Sequence, residues 1–119
     1  LSLLNWGEYF MKIHGVEVKG AIDKETRCKH YHTEKDRVAI KFYCCNEFFS
    51  CYFCHKELGC RNEAVWPFEQ FNEKAILCGS CGERLSIEQY LQHHESCPNC
   101  NAAFNPGCNT HSHLYFKTK

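Results

Sequence analysis

The chain has 119 residues, with 14 acidic and 14 basic side chains and a formal charge of zero. A length of this order favours one domain, which buries only about two-thirds of the surface that its unfolded chain exposes. No apolar run approaches the roughly 20 residues that cross a bilayer, so we exclude a membrane-spanning protein. The 11 cysteines are far more than an ordinary soluble protein contains, and they predict that disulfides or metal ions supplement a small core.

The N-terminal segment 1–10 has neither the basic start nor the cleavage site of a secretory signal. A disulfide scaffold normally comes with such a signal, so we expect reduced thiols in a reducing compartment, the cytoplasm. Met11-Lys12 is typical of a native start, and residues 1–10 are therefore given no part in the predicted function.

Short strands are predicted in chain order. Residues 16–18 lie between two glycines and alternate apolar and charged side chains, as a strand does. Residues 37–43 place alternate apolar side chains on one face. Residues 74–77 form an apolar run that leads directly into Cys78-Gly-Ser-Cys81-Gly, the strand-then-turn arrangement of a zinc knuckle. Residues 114–116 predict a further strand that closes the sheet.

One short helix is clearly indicated. Ser86 and Gln89 form a capping box, and Ile87, Tyr90, Leu91 and His94 then lie on one stripe. The expected fold is a small, zinc-stabilised α+β domain of short antiparallel strands, zinc knuckles and one short helix, with little other regular structure. Six aromatic residues are expected in the core: Trp66, Phe68, Phe71, Tyr90, Phe104 and Phe116.

Ten cysteines and two histidines between positions 28 and 100 have the spacing of metal ligands. Two thiolates separated by two residues can curl around one ion, and the chain contains three such pairs. The twelve candidate ligands, enough for three tetrahedral zinc ions, are Cys28, His30, Cys44, Cys45, Cys51, Cys54, His55, Cys60, Cys78, Cys81, Cys97 and Cys100.

Backbone geometry indicates how these ligands are divided among the three ions. Residues two apart in an extended segment point the same way, so Cys28 and His30 are expected to complete the pair at 51/54. Adjacent residues face opposite sides of a strand, so Cys44 and Cys45 are expected to serve different ions. The pairs at 78/81 and 97/100 would then form two separate sites.

Each of those two pairs needs one adjacent cysteine and one of His55 or Cys60. We favour Cys44 with His55 and Cys45 with Cys60, and the opposite combination stays open. Cys60 has no local partner and is the least secure ligand, because an isolated cysteine can simply be buried.

Three further candidates, Cys108, His111 and His113, lack a fourth ligand. We therefore expect a free thiol at Cys108 rather than a fourth zinc site. His32 shares the face of His30 and is the nearest alternative for its place.

The motifs Cys28-Lys-His30-Tyr31, Cys44-Cys45, Cys51-Tyr-Phe-Cys54-His55, Cys78-x2-Cys81 and Cys97-x2-Cys100 resemble those of the CHY-type zinc finger family. The resemblance covers residues 15–116, and it leaves 1–14 as an N-terminal extension or a remnant of expression and 117–119 as a tail. It implies three zinc ions held by twelve ligands, and this sequence has Cys60 where some members have histidine.

The chain is most similar to the stand-alone members of that family. These include a fungal helper of the disulfide relay in the mitochondrial intermembrane space and short bacterial proteins. The similarity makes the intermembrane space the alternative compartment if the protein is eukaryotic.

Charge and ligand count limit the function. Ten thiolates against three Zn2+ ions leave the metallated chain at about minus four, which disfavours nucleic acid as a partner. A fully used ligand set leaves no open zinc position for water, so no enzyme is expected. We predict a monomeric protein-interaction module with three structural zinc ions, a protein partner and no membrane association. A zinc-handling or thiol-redox helper that acts on a disulfide-relay partner is the alternative.

Overall fold

The computed structural model describes residues 10–28, 34–59, 64–92, 95–104 and 116. Within these ranges six short strands form one mixed sheet: β1 (Phe10–Ile13), β2 (Val16–Lys19), β3 (Val38–Lys41), β4 (Phe48–Phe49), β5 (Ile76–Cys78) and β6 (Arg84–Leu85). Their order across the sheet is β1-β2-β4-β3-β5-β6. Every neighbouring pair is antiparallel except β2 and β4, which run parallel.

The predicted α+β fold is confirmed, and three of the predicted strands are present as β2, β3 and β5. Of the strand predicted at 114–116 only Phe116 lies within the described residues. Phe116 forms an isolated parallel bridge with Trp66.

A two-residue turn joins β1 to β2. His14 and Gly15 both have positive φ, 51° and 82°, which is the backbone of a hairpin turn that matches the twist of its strands. The register pairs Phe10 with Lys19 and Ile13 with Val16. Among the described residues the sheet therefore begins at Phe10, inside the segment 1–14 that the sequence assigned to an extension.

Two short helices accompany the sheet. Helix α1 (Tyr52–Leu58) was not predicted, because its N-cap is Cys51 rather than one of the residues that usually announce a helix start. Helix α2 (Ile87–Gln92) is the predicted one, and His94 of its predicted stripe lies outside the described residues. No helix among the described residues has the length and apolar character needed to cross a membrane.

Two hydrophobic clusters lie on the two faces of the sheet, since the adjacent residues Ala39 and Ile40 of β3 belong to different clusters. Phe68 departs from the prediction. It is 49% exposed, because it lies on a 3-10 turn, Phe68–Gln70, in which no residue is buried. The other predicted core aromatics are in the larger cluster, with Phe71 at its border: Trp66, Tyr90, Phe104 and Phe116.

The capping box of α2 generates a stability prediction. Ser86 Oγ accepts the N–H of Gln89 at 3.1 Å, and Gln89 Oε1 accepts the N–H of Ser86 at 2.9 Å. We expect Ser86→Ala to lower the free energy of unfolding of the zinc-loaded protein by about 1 kcal/mol, because one of these bonds is lost. Denaturant titration at a fixed free zinc concentration measures the change.

The matched control is Gln92→Ala, at an exposed position of the same helix. This control should change the free energy by less than about 0.5 kcal/mol. Equal losses in the two variants would contradict a specific contribution from the cap.

Candidate metal centres

Ten of the twelve predicted ligands lie within the described residues, and they form three groups whose ligand atoms approach within 4.8 Å of one another. The four-thiol cluster consists of Cys78, Cys81, Cys97 and Cys100, the three-thiol cluster of Cys28, Cys51 and Cys54, and the Cys-Cys-His cluster of Cys44, Cys45 and His55. His30 and Cys60 lie outside the described residues, as do Cys108, His111 and His113.

The spacing of the sulfur atoms tests whether these groups fit zinc. Tetrahedral geometry with Zn–S bonds of about 2.3 Å puts two sulfurs about 3.8 Å apart. Cys51 Sγ lies 3.6 Å from both Cys28 Sγ and Cys54 Sγ. The Cys78–Cys100 and Cys81–Cys97 separations are both 3.8 Å. Because a disulfide bond is only about 2.05 Å long, the thiols are spaced as ligands of a shared ion.

The three-thiol cluster joins a loop to the start of α1. Cys51 caps the helix, with its Sγ accepting the N–H of Cys54 at 3.4 Å. Cys28 approaches from a loop that Arg27 organises, because the guanidinium pairs with Asp23 at 3.2 Å and donates to the carbonyl of Glu34 at 2.9 Å. The predicted association of Cys28 with the 51/54 pair therefore agrees with the structure.

Close packing raises the pKa values of Cys51 and Cys54 when no metal is bound. The hydrogen bond with Cys28, followed by burial, raises the pKa of Cys51 to about 12. Hydrogen bonds with Cys28 and Cys51, together with burial, also raise the pKa of Cys54. A metal ion that binds here must displace protons, so binding weakens as the pH falls.

The first half of the four-thiol cluster is a turn that follows β5. The N–H of Gly82 donates to the carbonyl of Cys78 at 2.9 Å, and the N–H of Cys78 donates to the carbonyl of Glu83 at 3.0 Å. Gly82 closes the turn with a φ of 83°, a conformation that glycine adopts without strain. The N–H of Glu83 also donates to Cys81 Sγ at 3.4 Å. This is a zinc knuckle, as the sequence predicted.

The second half repeats the first. The N–H of Asn101 donates to the carbonyl of Cys97 at 2.8 Å, and the N–H of Cys97 donates to the carbonyl of Ala102 at 2.9 Å. Asn101 has a φ of 64° and takes the place of Gly82. The two knuckles face each other, and Asn99 Nδ2 bridges them by donating to Cys81 Sγ at 3.3 Å.

The four-thiol cluster is the most solvent-accessible of the three groups, because Cys100 is exposed and Cys81 is only partly buried. Burial opposes ionisation of Cys81, but hydrogen bonds from Asn99 and from the N–H of Glu83 outweigh it and lower the pKa of Cys81 to about 7. Burial raises the pKa of Cys78. The cluster thus contains one thiol, Cys81, that ionises more readily than usual beside Cys78 and Cys97, whose pKa values are raised.

The Cys-Cys-His cluster begins in a turn after β3. The N–H of Asn46 donates to the carbonyl of Phe42 at 2.8 Å, and the N–H of Phe42 donates to the carbonyl of Glu47 at 3.0 Å. Asn46 has a φ of 58°. This is the hydrogen-bond pattern of the other two knuckles, so Cys44 and Cys45 lie in a knuckle rather than in a strand.

His55 completes the described part of this cluster. Its Nε2 lies 3.2 Å from Cys44 Sγ. The imidazole is buried, stacks on Phe42 with a centroid distance of 4.2 Å and an interplanar angle of 5°, and meets Phe49 edge to face at 5.0 Å. Gly59 lies close to His55, and its N–H donates to the His55 carbonyl at 2.7 Å. The histidine is therefore enclosed by aromatic rings and backbone.

The predicted division of the ligands is wrong in two respects. Cys44 and Cys45 share one cluster, because the chain turns at Tyr43 and the alternation of a strand does not apply there. The pairs at 78/81 and 97/100 meet in one cluster instead of forming two sites. A signal for the turn at Cys44 and Cys45 was present in the sequence, since each knuckle ends in a cysteine followed by glycine or asparagine, the residues that best tolerate positive φ.

These clusters and the small mixed sheet define a cysteine-rich metal-binding protein of the zinc-finger class. The sequence model of the CHY zinc finger matches residues 28–107, and the chain belongs to that family. Family and clusters together support zinc binding, and the thiol-rich donor sets are those that zinc prefers.

Three fungal proteins are similar to most of the chain. Helper of Tim protein 13 from Saccharomyces cerevisiae is 38% identical over 104 residues, which cover 81% of this chain and 85% of that protein. The protein of the same name from Kluyveromyces lactis is 38% identical over 95 residues, with coverages of 80% and 82%. An uncharacterised protein of Schizosaccharomyces pombe is 38% identical over 96 residues, with coverages of 81% and 84%. No solved structure matches the chain.

The close approach of Gly59 to His55 gives a second prediction. A Cβ atom at position 59 would lie 2.5 Å from both Cδ2 and the carbonyl oxygen of His55, so the imidazole or the helix end must move. We expect Gly59→Ala to reduce the tightly bound zinc by one ion per chain, because zinc sites depend on the orientation of their histidines. Elemental analysis after dialysis against a weak chelator measures the loss.

Lys56→Ala is the control, since Lys56 is exposed on the same helix. It should retain all the zinc of the unaltered protein. Full zinc retention by Gly59→Ala would contradict the position of His55 described above.

Proposed function

We propose that this chain is a non-catalytic zinc module with three structural zinc ions, and that it acts by binding another protein. The three separate ligand groups carry the proposal. Each of the two incomplete groups has a further predicted ligand nearby in sequence, His30 two residues after Cys28 and Cys60 five residues after His55. With these two residues every group would supply four ligands.

Four protein ligands per ion favour a structural role. A catalytic zinc keeps one position open for water or substrate and needs a nearby acid or base, and a filled tetrahedral site has no such position. Structural zinc in small domains contributes apparent binding energies of about 10–16 kcal/mol per ion, which equals or exceeds the whole stability of a typical domain. We therefore propose that the chain is not an enzyme and that folding depends on metal.

Metal content is the direct test. We expect three zinc ions per folded chain, since ten described ligands already form three groups. A strong chelator should abolish near-UV circular dichroism together with zinc binding, because the clusters connect distant segments. Elemental analysis with a parallel thiol titration measures the zinc content, and near-UV spectra before and after chelation measure the loss of the fold. Two ions or fewer in the unaltered protein, or a native spectrum after complete zinc removal, would contradict the proposal.

The names of the fungal relatives support a protein-directed role, because two of them are described as helpers of a Tim protein. We propose the same kind of partner for this chain, with the mitochondrial intermembrane space as its compartment. The surface offers exposed apolar side chains for such contacts: Ile22, Tyr43, Phe53 and Phe68.

A binding assay tests the partner. Zinc-loaded protein should bind a purified Tim protein of Saccharomyces cerevisiae in calorimetry, and Phe68→Ala should weaken binding while leaving the zinc content unchanged. Phe68 is suitable because it is 49% exposed and lies in a turn without buried residues. Glu69→Ala, the exposed neighbour, is the control. Absence of binding by the unaltered zinc-loaded protein would contradict this partner and leave the structural zinc ions unaffected.

A second candidate, a zinc-handling or thiol-redox helper, is favoured by the accessibility of the four-thiol cluster. Cys100 is exposed there, and thiol exchange depends on access and on the thiolate fraction. This function requires zinc transfer to a metal-free acceptor faster than from a chelator of equal affinity, or a mixed disulfide with an oxidoreductase. If neither is observed, the structural module is the better description.

A further inference from the structure

The three knuckles have one backbone design but differ in the residue at their first position. In each, the N–H of the fifth residue donates to the carbonyl of the first, and the N–H of the first donates to the carbonyl of the sixth. The fifth residue always has positive φ: 58° at Asn46, 83° at Gly82 and 64° at Asn101. The first position holds Cys78 and Cys97 in two knuckles and Phe42 in the third.

Phe42 directs its ring at the cluster of its own knuckle. The side chain is 3% exposed and lies parallel to the imidazole of His55, with centroids 4.2 Å apart. Phe49 supports both rings from the side, at 5.5 Å from Phe42 and 5.0 Å from His55, with interplanar angles of 89° and 90°. The ring at the first position of this knuckle therefore packs against the ligand His55, whereas the other two knuckles carry a thiol at their first position.

We infer that Phe42 is a positioning residue that sets the ligand composition of the Cys-Cys-His cluster. Because phenylalanine has no donor atom, the first position of this knuckle supplies no thiolate. The Phe42 ring instead holds His55 where it can act as the ligand. The inference rests on the proposed function, because it assumes that a zinc ion occupies this cluster. It goes beyond that function by naming the residue that makes a histidine one of the donors of this site.

A charge argument explains why this cluster uses an imidazole. Four thiolates around Zn2+ leave two net negative charges, whereas three thiolates and a neutral histidine leave one, and burial penalises the larger charge. His55 lies with Phe42 and Phe49 in the buried interior, and Cys44 and Cys45 are partly buried. The four-thiol cluster has an exposed member, Cys100, so water can stabilise its greater charge.

A ligand-rescue experiment tests the inference. Zinc content is compared in the unaltered protein, His55→Ala, Phe42→Cys/His55→Ala and Phe42→Ser/His55→Ala. We expect His55→Ala to lose one zinc ion, the cysteine variant to regain it, and the serine variant, which is of similar size but lacks a thiolate, to remain deficient. After cadmium substitution, the NMR resonance of the regained site should lie closer to that of the four-thiol cluster than the resonance of the same site in the unaltered protein does. The reason is that cadmium shifts depend on the number of thiolate ligands.

The outcomes separate the inference from the proposed function. Fewer than three zinc ions in the unaltered protein contradicts the proposed function. Three zinc ions in the unaltered protein, with no more metal in the cysteine variant than in the serine variant, overturns the inference alone. A merely structural role for Phe42 would not produce the recovery or the cadmium shift.

A single substitution keeps the inference testable if the double variants do not fold. Phe42→Leu retains bulk but removes the stacked ring, and we expect one of the three zinc ions to be held at least roughly tenfold more weakly in chelator competition. Phe48→Leu, in the other hydrophobic cluster, is the matched control. Equal zinc retention in the two variants overturns the positioning role.

Discussion

Tetrahedral spacing of thiol groups is the constraint on which the rest of this small fold depends. Sulfur separations of 3.6 to 3.8 Å bring the loop at Cys28 to α1 and bring the turn after β5 to the segment at 97–100. Helix α1 contributes ligands to two clusters, since Cys54 belongs to the three-thiol cluster and the next residue, His55, belongs to the Cys-Cys-His cluster. Successive helical residues diverge by about 100°, so one short helix can direct ligands into two clusters.

The clusters differ in burial, and this difference organises their electrostatics. All members of the three-thiol cluster are buried, and the proximity of Cys28 holds the pKa of Cys51 well above its usual value. In the four-thiol cluster, hydrogen bonds from Asn99 and Glu83 lower the pKa of Cys81 despite the opposing effect of burial. The histidine of the described clusters, His55, packs against two buried aromatic rings, with Phe42 stacked on it and Phe49 edge to face. A centre with less negative charge is better suited to that environment.

Much of the scaffold was accessible from the sequence because its signals are local. The capping box of Ser86 and Gln89, the alternation before Cys44 and the run before Cys78 depend only on neighbouring residues. Helix α1 was missed because a cysteine supplies its N-cap, and Phe68 was misplaced because an aromatic residue in a short turn has no periodicity that indicates its face. Strand β1 was missed because residues 1–14 were assigned to an extension, although they include one strand of the hairpin with β2.

The sequence alone indicated the kind of donor: thiols in pairs that can chelate one ion, with a histidine beside one pair. The ten predicted ligands that lie among the described residues all belong to a cluster. Only the tertiary structure decided which donors meet. Cys44 and Cys45 share a cluster because hydrogen bonds between Phe42, Asn46 and Glu47 close a turn where a strand was expected. The 78/81 and 97/100 pairs converge because their facing knuckles are linked by Asn99. The physical reason is that local spacing limits which residues can chelate together, whereas the choice of partner depends on long-range chain reversal and packing.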